Sequence, residues 1–471
     1  MRLTRSILAA TRPFVLALLT IATGLPAAMA ATWHVNNTTG NDALDGKTPT
    51  AAFATIRKAI SCCATSDRLV LAKTGKAYLE SIELNGLGGT PARPFVIEGN
   101  GAVLCGFKPV DPAAWQKRED GLWFFPYPRP AMRPYLRFDG QRVEPQRKPD
   151  ALQPGQYCWT ETGVLFRPEA GKTPAGSTID GTFLVSGLAI AGASYIRCQD
   201  LVAEGFSNDG FNIHGDCQAI ECRNIESRHN GDDGFSIHED VSSVVYHGWF
   251  HHNDYGIQDV HSGRSSYFGI LSEDNRVSGV EFHGGLHQLV DAVVRRNAGA
   301  QMKVNHSPAA HIGLAPSNLT ALGLSVLKNV LAIGGKVGLE VEGKGSVMAS
   351  NCVFRDAETG VLVGPEATCH LTASVVDGCR DLELSSLSPR VELDLNVYHP
   401  GRFSWQTQRF EPTRWDAFRQ ATGQDKQSRL LQPSFSSDGI LQLPLSDPSP
   451  KAPQFRPGLT SPAFTRPTAV P

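Results

Sequence analysis

The sequence predicts an all-β solenoid, because a glycine followed by alternating apolar residues recurs between residues 194 and 387 at a nearly constant interval. Gly210, Gly234, Gly256 and Gly279 each open such a segment, at steps of 22 to 24 residues. Alternation with a period of two indicates a strand, and a repeat in the low twenties indicates that each strand returns beside its predecessor. Together these observations predict a right-handed parallel β-helix with coils of about 22 residues.

The same repeat continues toward the C-terminus through Ala300, Gly338 and Gly360. One step, from Ala300 to Gly338, is about 38 residues long and predicts either a loop at residues 307–318 or a short extra coil. A second alternating strand precedes the first in each coil, at 195–198, 219–222 and 244–246. Cys198 and Cys222 fall in register in these strands and are expected to stack inside, bonded or free.

The N-terminus has the features of a secretory signal peptide. Arg2, Arg5 and Arg12 form a positive region, residues 13–25 are apolar, and residues 28–30 form an A-x-A cleavage site. We therefore expect cleavage after Ala30 and a secreted or periplasmic protein. Nothing in the chain approaches the roughly 20 apolar residues that a membrane span needs, so we expect none.

Composition narrows the classes of partner. The chain has 44 Lys and Arg against 46 Asp and Glu, a formal net charge of −2, which argues against nucleic acid as a partner. A polyanionic substrate would therefore need local basic residues or a bound cation. The ten cysteines match no zinc motif. We expect a monomer.

The chain divides into six predicted segments. Residues 1–30 are the signal peptide, 31–106 an N-terminal cap with a short amphipathic helix near 53–60 and the first coils, and 181–396 the repeat domain. Residues 397–443 form a C-terminal cap with a helix from near Thr413 to Gly423, and 444–471 a Pro-rich tail.

In the remaining segment, 107–180, the period is lost and aromatic residues crowd: Trp115, Trp123, Phe124, Phe125, Tyr127, Tyr135, Tyr157 and Trp159. The segment is predicted to be a hairpin-rich insert with its own core, or alternatively an aromatic wall for sugar rings.

Outward side chains of successive coils align into columns. One column contains Asn212, Ser236, Gln258, Glu281 and Lys303. Its neighbour contains His214, His238, an irregular coil with Asp259 and His261, then His283 and Asn305. The turns before the strands carry Asp209, Asp232, Asp233 and Asp254. Repeated histidine on an exposed strand face is unusual, so this polar stripe predicts a functional groove, with an ordinary solvated face as the alternative.

Acids one coil apart repel, so they tend to share a cation or to split their pKa values. In the first case they hold Ca²⁺, which prefers hard oxygen ligands. The metal would neutralise a uronate carboxylate, so that a base could remove the adjacent proton and the glycosidic bond would break by β-elimination. In the second case the carboxyl groups catalyse hydrolysis of the glycosidic bond.

Residues 230–238, NGDDGFSIH, together with Asp209 one coil earlier, resemble the calcium-binding stretch of the family nine pectate lyases, which have a pectate-lyase-like β-helix fold. The resemblance implies Asp209, Asp232 and Asp233 as calcium ligands, with Ser236 at the fourth ligand position. The strand around Lys303 resembles the one that carries that family's catalytic lysine.

Lys303 lies three coils from Asp233, about 14 Å at the sheet spacing. Glu281 in the same column favours the charged amine, so a bridging salt pair is the alternative role for Lys303. The candidate catalytic residues are Lys303, His283, Glu281 and His238, and the candidate substrate-binding residues are His214, Asn212, Gln258 and Asn305.

The sequences SNDG, containing Asp209, and GDDG, containing Asp232 and Asp233, are also similar to the N-T-D-G and G-D-D motifs of the polygalacturonases. Those are inverting hydrolases in which an acid and a base flank a water. Tyr255 stands where that family has a histidine, and its R-I-K motif is missing. We therefore expect a polysaccharide-active enzyme, either a lyase of an acidic glycan or an inverting glycoside hydrolase; the remaining alternative is a non-catalytic carbohydrate-binding or surface protein.

Overall fold

The structure is a computed structural model that describes residues 30–127, 129, 132–306 and 323–435, together with the backbone of 441–442. The predicted signal peptide except Ala30, the predicted loop at 307–318 and the Pro-rich tail at 444–471 lie outside the described residues.

Two sheets run along the described chain, and their strands pair in parallel with the strands of neighbouring coils. The exception is the last pair of the second sheet, Phe403–Trp405 with Gln408–Phe410, which is antiparallel. The first sheet contains Thr32–Val35, Arg68–Leu71, Phe95–Cys105, Ile196–Glu204, Cys217–Arg228, Val241–His251, Arg264–Glu273, Leu286–Arg295 and Leu324–Ile333. It then divides into two branches, Ser346–Ser350, Thr368–Thr372 and Val391–Asp394 on one side, and Val353–Arg355, Val375–Asp377, Val397–Tyr398 and Arg429–Leu430 on the other.

The second sheet carries the polar stripe. Its strands are Ile82–Asn85, Leu188–Ala191, Phe211–His214, Asp233–Ile237, Tyr255–Val260, Ser278–His283, Ala300–His306, Val337–Gly343, Thr359–Val363, Leu382–Ser386, Phe403–Trp405 and Gln408–Phe410. This architecture confirms the predicted right-handed parallel β-helix.

The core follows the sequence repeat. Inward residues of the second sheet stack in register through Phe211, Phe235, Ile257, Val280, Met302, Leu339, Val361 and Leu384, all fully buried. Lys303 pairs directly with Glu340, so the long sequence step inserts no additional coil between those two strands. Cys198 and Cys222 are paired in register and buried, and both are free thiols.

A ladder of buried asparagines fixes the turns that lead into the second sheet. The side-chain oxygen of Asn253 accepts from the backbone and the side-chain amide of Asn230, each at 3.0 Å. Asn275 accepts from the backbone N–H of Asn253, and Asn297 accepts from both the backbone and the side-chain amide of Asn275. These hydrogen bonds satisfy buried backbone groups in successive turns.

The segment 107–180 is a hairpin-rich insert. One sheet contains Gln116–Lys117, Trp123–Phe125, Gln156–Trp159 and Val164–Arg167, and the other contains Phe107–Pro109, Leu136–Phe138, Gln141–Val143 and Ile179–Thr182. Trp115, Phe125 and Tyr157 are buried in its own apolar cluster. Those rings therefore stabilise the insert and do not form a wall for sugar rings.

Short helices lie at both ends. The N-terminal helix Ile56–Cys62 begins at Thr55, whose side chain accepts from the backbone of Lys58. The C-terminal helix Trp415–Thr422 ends at Gly423 in a left-handed conformation, as predicted. The remaining elements are 3-10 turns at Pro49–Ala51, Pro112–Ala114, Pro149–Ala151, Pro174–Gly176 and Pro412–Arg414, and a pair of strands, Ser434–Phe435 and Leu441–Gln442. Among the described residues, no helix combines the length and apolarity of a membrane span.

Candidate active site

Three aspartates meet where two adjacent coils enter the second sheet. Asp209 lies in the turn before the strand Phe211–His214, and Asp232 and Asp233 lie one coil later. One carboxylate oxygen from each residue lies within 4.8 Å of the others. We call Asp209, Asp232 and Asp233 the acid cluster.

Asp209 is the most strongly held member of the acid cluster. Its Oδ2 accepts from the side-chain amides of Asn208, at 2.9 Å, and of Asn212. Its Oδ1 accepts from the backbone N–H of Asp233 at 3.0 Å. Burial and the charge of Asp232 outweigh these hydrogen bonds and raise the pKa of Asp209 to about 8.

Asp233 and Asp232 differ in their access to solvent. Asp233 is buried, and burial together with the charges of Asp209 and Asp232 raises its pKa well above the ordinary value. Its Oδ1 has no hydrogen-bond partner among the described residues. The Asp232 side chain keeps 14% exposure. Burial raises the pKa of Asp232, whereas the charge of Arg133 opposes that rise.

Arg133, from the insert, supplies the cation beside the acid cluster. Its Nη1 lies 2.8 Å from Asp232 Oδ1 and 3.1 Å from Oδ2 of Asp254, which also pairs with Arg276. A side chain at Gly231 would lie 2.5 Å from the carbonyl oxygen of Arg133, so a glycine here permits the insert to approach. Arg133 was not predicted as a site residue, because the insert carries no repeat that could place this residue beside a particular coil.

A groove of about 380 Å³ lies next to the acid cluster. Its lining residues are Glu83, Val185, Ser186, Ala189, Asn208, Asn212, His214, His238 and Glu239. The groove and the acid cluster share a wall, since Asn208 and Asn212 line the one and donate to Asp209 in the other. Burial lowers the pKa of His238, which favours the neutral ring.

The strand register aligns the outward column of Asn212, Ser236, Gln258, Glu281 and Lys303. The interpretation of Asp259 as part of the neighbouring outward column was wrong. Asp259 pairs in register with the core residues Ile237 and Phe282 and is fully buried. Tyr267 donates to it at 2.8 Å, and Ser265 and His287 complete a polar network inside the solenoid.

The candidate residues near Lys303 form a second polar region. Lys303 Nζ lies 2.8 Å from Glu342 Oε2 and 3.4 Å from Glu340 Oε2. Burial lowers the pKa of Lys303, but the hydrogen bond to Glu342 and the charges of Glu340, Glu342 and Glu281 outweigh it, so the pKa is raised. His283 Nε2 lies 2.9 Å from Glu281 Oε2. We call Glu281, His283, Lys303, Glu340 and Glu342 the lysine cluster.

The structure thus separates the candidate residues into two places. His238, Asn212 and His214 line the groove beside the acid cluster. Asn305 instead lines a separate depression of about 410 Å³ next to Glu342, and Gln258 lies on the strand between the two places. Ser236, predicted at a fourth ligand position, is hydrogen-bonded to His238 Nε2 at 3.0 Å and to the carbonyl of Gln258.

Glu83 was not predicted as a site residue either, although the sequence pattern indicates its position. Residues 82–85 alternate as the later coils do, and the register runs from Glu83 through Ala189 to Asn212. Extending the column backwards across the insert would have placed Glu83 on the groove face.

Comparison with known proteins establishes the fold. No model of a known protein family matches the sequence, and no curated protein matches it. Among solved structures, XylC in complex with xylose aligns with a TM-score of 0.56 and 11% identity, covering 78% of this chain and 75% of that one. A structure described as a glycoside hydrolase aligns with a TM-score of 0.52 and 11% identity, covering 84% and 99%. Pectate lyase Pel9A aligns with a TM-score of 0.47.

At 11% identity these similarities concern the fold alone. The chain has the right-handed parallel β-helix fold. A shared fold does not define a reaction, so the residues of the acid cluster decide what chemistry is possible there.

Proposed function

We propose that this protein is a carbohydrate-active enzyme that cleaves glycosidic bonds by hydrolysis at Asp209, Asp232 and Asp233. The observation that carries the proposal is the pair of environments within one acid cluster. Asp209 has a pKa raised to about 8, whereas Asp232 contacts the guanidinium of Arg133. Glycoside hydrolysis needs one protonated and one ionised carboxyl group, and environments that push two pKa values apart supply both.

The roles follow from charge and access. Asp209, which is buried and has a pKa raised to about 8, holds a proton near neutral pH and supplies it toward the leaving-group oxygen. Burial and two neighbouring carboxylates raise the pKa of Asp233 as well, which favours its protonated form. Asp232 is the most exposed of the three and is paired with Arg133, so it ionises first and orients the attacking water or stabilises the developing positive charge. Since the three groups are coupled, their protons belong to the acid cluster as a whole.

The fold supports this proposal, because the structures it resembles include XylC in complex with xylose and a glycoside hydrolase. A monomeric protein, exported to the periplasm or the exterior and acting on a polysaccharide, remains part of the proposal.

A second candidate function is β-elimination on a uronate-containing glycan. It is favoured by the orphaned Asp233 Oδ1 and by three carboxylates within 4.8 Å, an oxygen-rich donor set that suits Ca²⁺. Calcium held there by Asp209, Asp232 and Asp233 would supply the neutralisation that a uronate carboxylate needs. The difficulty is the base, because three carboxylates raise the pKa of Lys303 and keep its amine charged.

The two chemistries leave different products. Wild-type protein is incubated with a panel of neutral and acidic polysaccharides, with and without a chelator, and reducing ends and near-ultraviolet absorbance are followed. Hydrolysis gives reducing ends without absorbance in either buffer. β-Elimination gives absorbance that the chelator abolishes and added Ca²⁺ restores.

The matched variants are Asp232→Asn in the acid cluster and Asp120→Asn on the exposed surface of the insert. We expect the first to lose cleavage and the second to keep it. Full activity of Asp232→Asn would contradict both chemistries.

A further inference from the structure

We propose that the groove beside the acid cluster binds a neutral sugar unit, and that Glu83 and Glu239 select against uronic acids. The assignment of this unit to a substrate rests on the proposed glycosidase function, whereas the binding preference itself does not. The substrate class proposed here is a neutral glycan, whereas the sequence predicted an acidic one.

The charges in the groove carry the first step. Two carboxylates, Glu83 and Glu239, line it, and no lysine or arginine does so among the described residues. A uronate carboxylate would thus meet two like charges, with no lysine or arginine in the lining to compensate them, which raises the free energy of binding.

The two basic side chains described beside the acid cluster and in the lysine cluster are already paired. Arg133 contacts Asp232 and Asp254, and Lys303 contacts Glu340 and Glu342 three coils away from Asp233. Drawing either cation toward a uronate would break these existing ion pairs.

The lining groups suit the two faces of a sugar ring. Between Glu83 and Asn212 the register places Ala189, whose side chain is too small to fill the floor. Val185, 43% exposed, adds apolar surface against which C–H groups can pack. Carboxylates are strong acceptors for hydroxyl groups, and no hydrogen-bond or ion-pair partner of Glu83 is found within the described residues. Glu239 Oε2 is fixed by the backbone N–H of Gly215 at 2.8 Å.

The groove is also placed correctly for the proposed reaction. Glu83 lies two coils before Asn212, roughly 10 Å at the sheet spacing, and Asn212 donates to Asp209. A sugar unit held between Glu83 and Asn212 therefore has one end next to the acid cluster. The volume, about 380 Å³, is at the small end of the range for ligand sites, which fits a short sugar segment.

The test measures binding, so that it does not depend on cleavage. Methyl glycosides are compared in pairs that differ only at C6, a hydroxymethyl group against a carboxylate, in the gluco, galacto and manno series, with methyl xyloside as a pentose. Saturation-transfer NMR and calorimetric titration give affinities for the wild type, for Glu83→Gln and for the control Glu161→Gln, on the exposed surface of the insert.

We expect at least one neutral glycoside to bind ten-fold or more tightly than its uronate partner. We expect Glu83→Gln to bind the neutral glycoside several-fold more weakly and the uronate more tightly than the wild type does. The control Glu161→Gln is expected to keep the preference of the wild type. Tighter binding of uronates, no binding of any glycoside, or an unchanged preference in Glu83→Gln would each overturn the inference.

The same measurements separate it from the proposed function. Neutral glycosides that bind through Glu83, combined with full cleavage activity in Asp232→Asn, would leave the groove assignment intact and remove the catalytic one. Loss of cleavage in Asp232→Asn, combined with unchanged binding in Glu83→Gln, would leave the catalytic assignment intact and remove the groove assignment.

Discussion

The acid cluster and the lysine cluster lie on the same face of the same sheet, about three coils apart, and each sets three carboxylates against one lysine or arginine. In the lysine cluster, Lys303 contacts Glu340 and Glu342 directly, and the Glu342 side chain is 41% exposed. In the acid cluster, Arg133 contacts Asp232, whereas Asp209 and Asp233 are buried, and burial raises the pKa of Asp209 to about 8. The two clusters therefore differ in burial and not in the count of charges.

Burial decides how the carboxyl groups of each cluster hold their protons. A buried carboxylate without its own cation takes up a proton, so it becomes a proton donor near neutral pH. A lysine between two carboxylates has its charged form stabilised, so it is a poor base. If this is the physical difference, reactivity belongs to the acid cluster, whose carboxyl groups are the more deeply buried.

The largest expected effect separates the clusters by activity. Asp232→Asn removes an ionisable group from the acid cluster and is expected to lower kcat by about 10²–10⁴-fold, the range for loss of acid or base catalysis. Lys303→Met keeps the size of the side chain and is expected to lower kcat by less than about ten-fold, because the amine only balances its glutamates. Thermal melting of both variants verifies folding. Equal losses of kcat would show that the two clusters act together, as a lyase would require.

The second prediction concerns the stability cost of the acid cluster. The folded pKa of Asp209, about 8, lies above its ordinary value of 3.8, so the folded state binds the extra proton between these values. The free energy of unfolding of the wild type therefore falls as pH rises from about 4 through 8. Asp209→Asn removes this penalty and is expected to be more stable than the wild type at pH 9, with the advantage shrinking toward pH 4. Denaturation at pH 5, 7 and 9, with Asp120→Asn as control, measures it; a constant difference across pH would contradict the raised pKa.

Much of the fold was predictable because the coil repeat is written in the sequence. Gly210 and Gly234 open alternating segments, and the register pairs Phe211 with Phe235 as that spacing requires. The acid cluster was predictable for the same reason, since aspartates in equivalent turns of adjacent coils must meet. The buried asparagine ladder from Asn230 onward recurs at the same interval and also left a signal.

The features that could not be predicted depend on tertiary contacts, which leave no periodic pattern in the sequence. Arg133 lies in an aperiodic insert, so its approach to Asp232 is set by tertiary docking over Gly231. Asp259 illustrates a different failure. Counting by two from Ile257 places Asp259 inward, but a buried acid is costly unless it has partners. Its partner Tyr267 comes from the other sheet, so only the closed coil shows that the acid is satisfied.

The third prediction tests the cation that divides the acid cluster. Arg133→Met removes the positive charge that opposes the raised pKa of Asp232, so that pKa should rise further. If Asp232 acts ionised, the acidic limb of the pH profile of kcat moves to higher pH. A shift of one pKa unit would cost about ten-fold in activity on that limb. Arg118→Met, at an exposed ion pair of the same insert, should leave the profile in place. An unchanged acidic limb in Arg133→Met would show that Asp232 does not act in its ionised form.

The smallest effect is expected in the lysine cluster. Glu342→Gln removes the carboxylate 2.8 Å from Lys303 Nζ, but Glu340 remains, and the Glu342 side chain is 41% exposed. The free energy of unfolding should fall by less than about 1 kcal/mol, because exposed ion pairs are screened by water and salt. The loss should shrink further in high salt, while kcat stays unchanged. Chemical denaturation at low and high ionic strength, with Glu366→Gln as the exposed control, measures this. A large loss of kcat in Glu342→Gln would mean that the charge on Lys303 is tuned for catalysis, and the contrast between the two clusters would then fail.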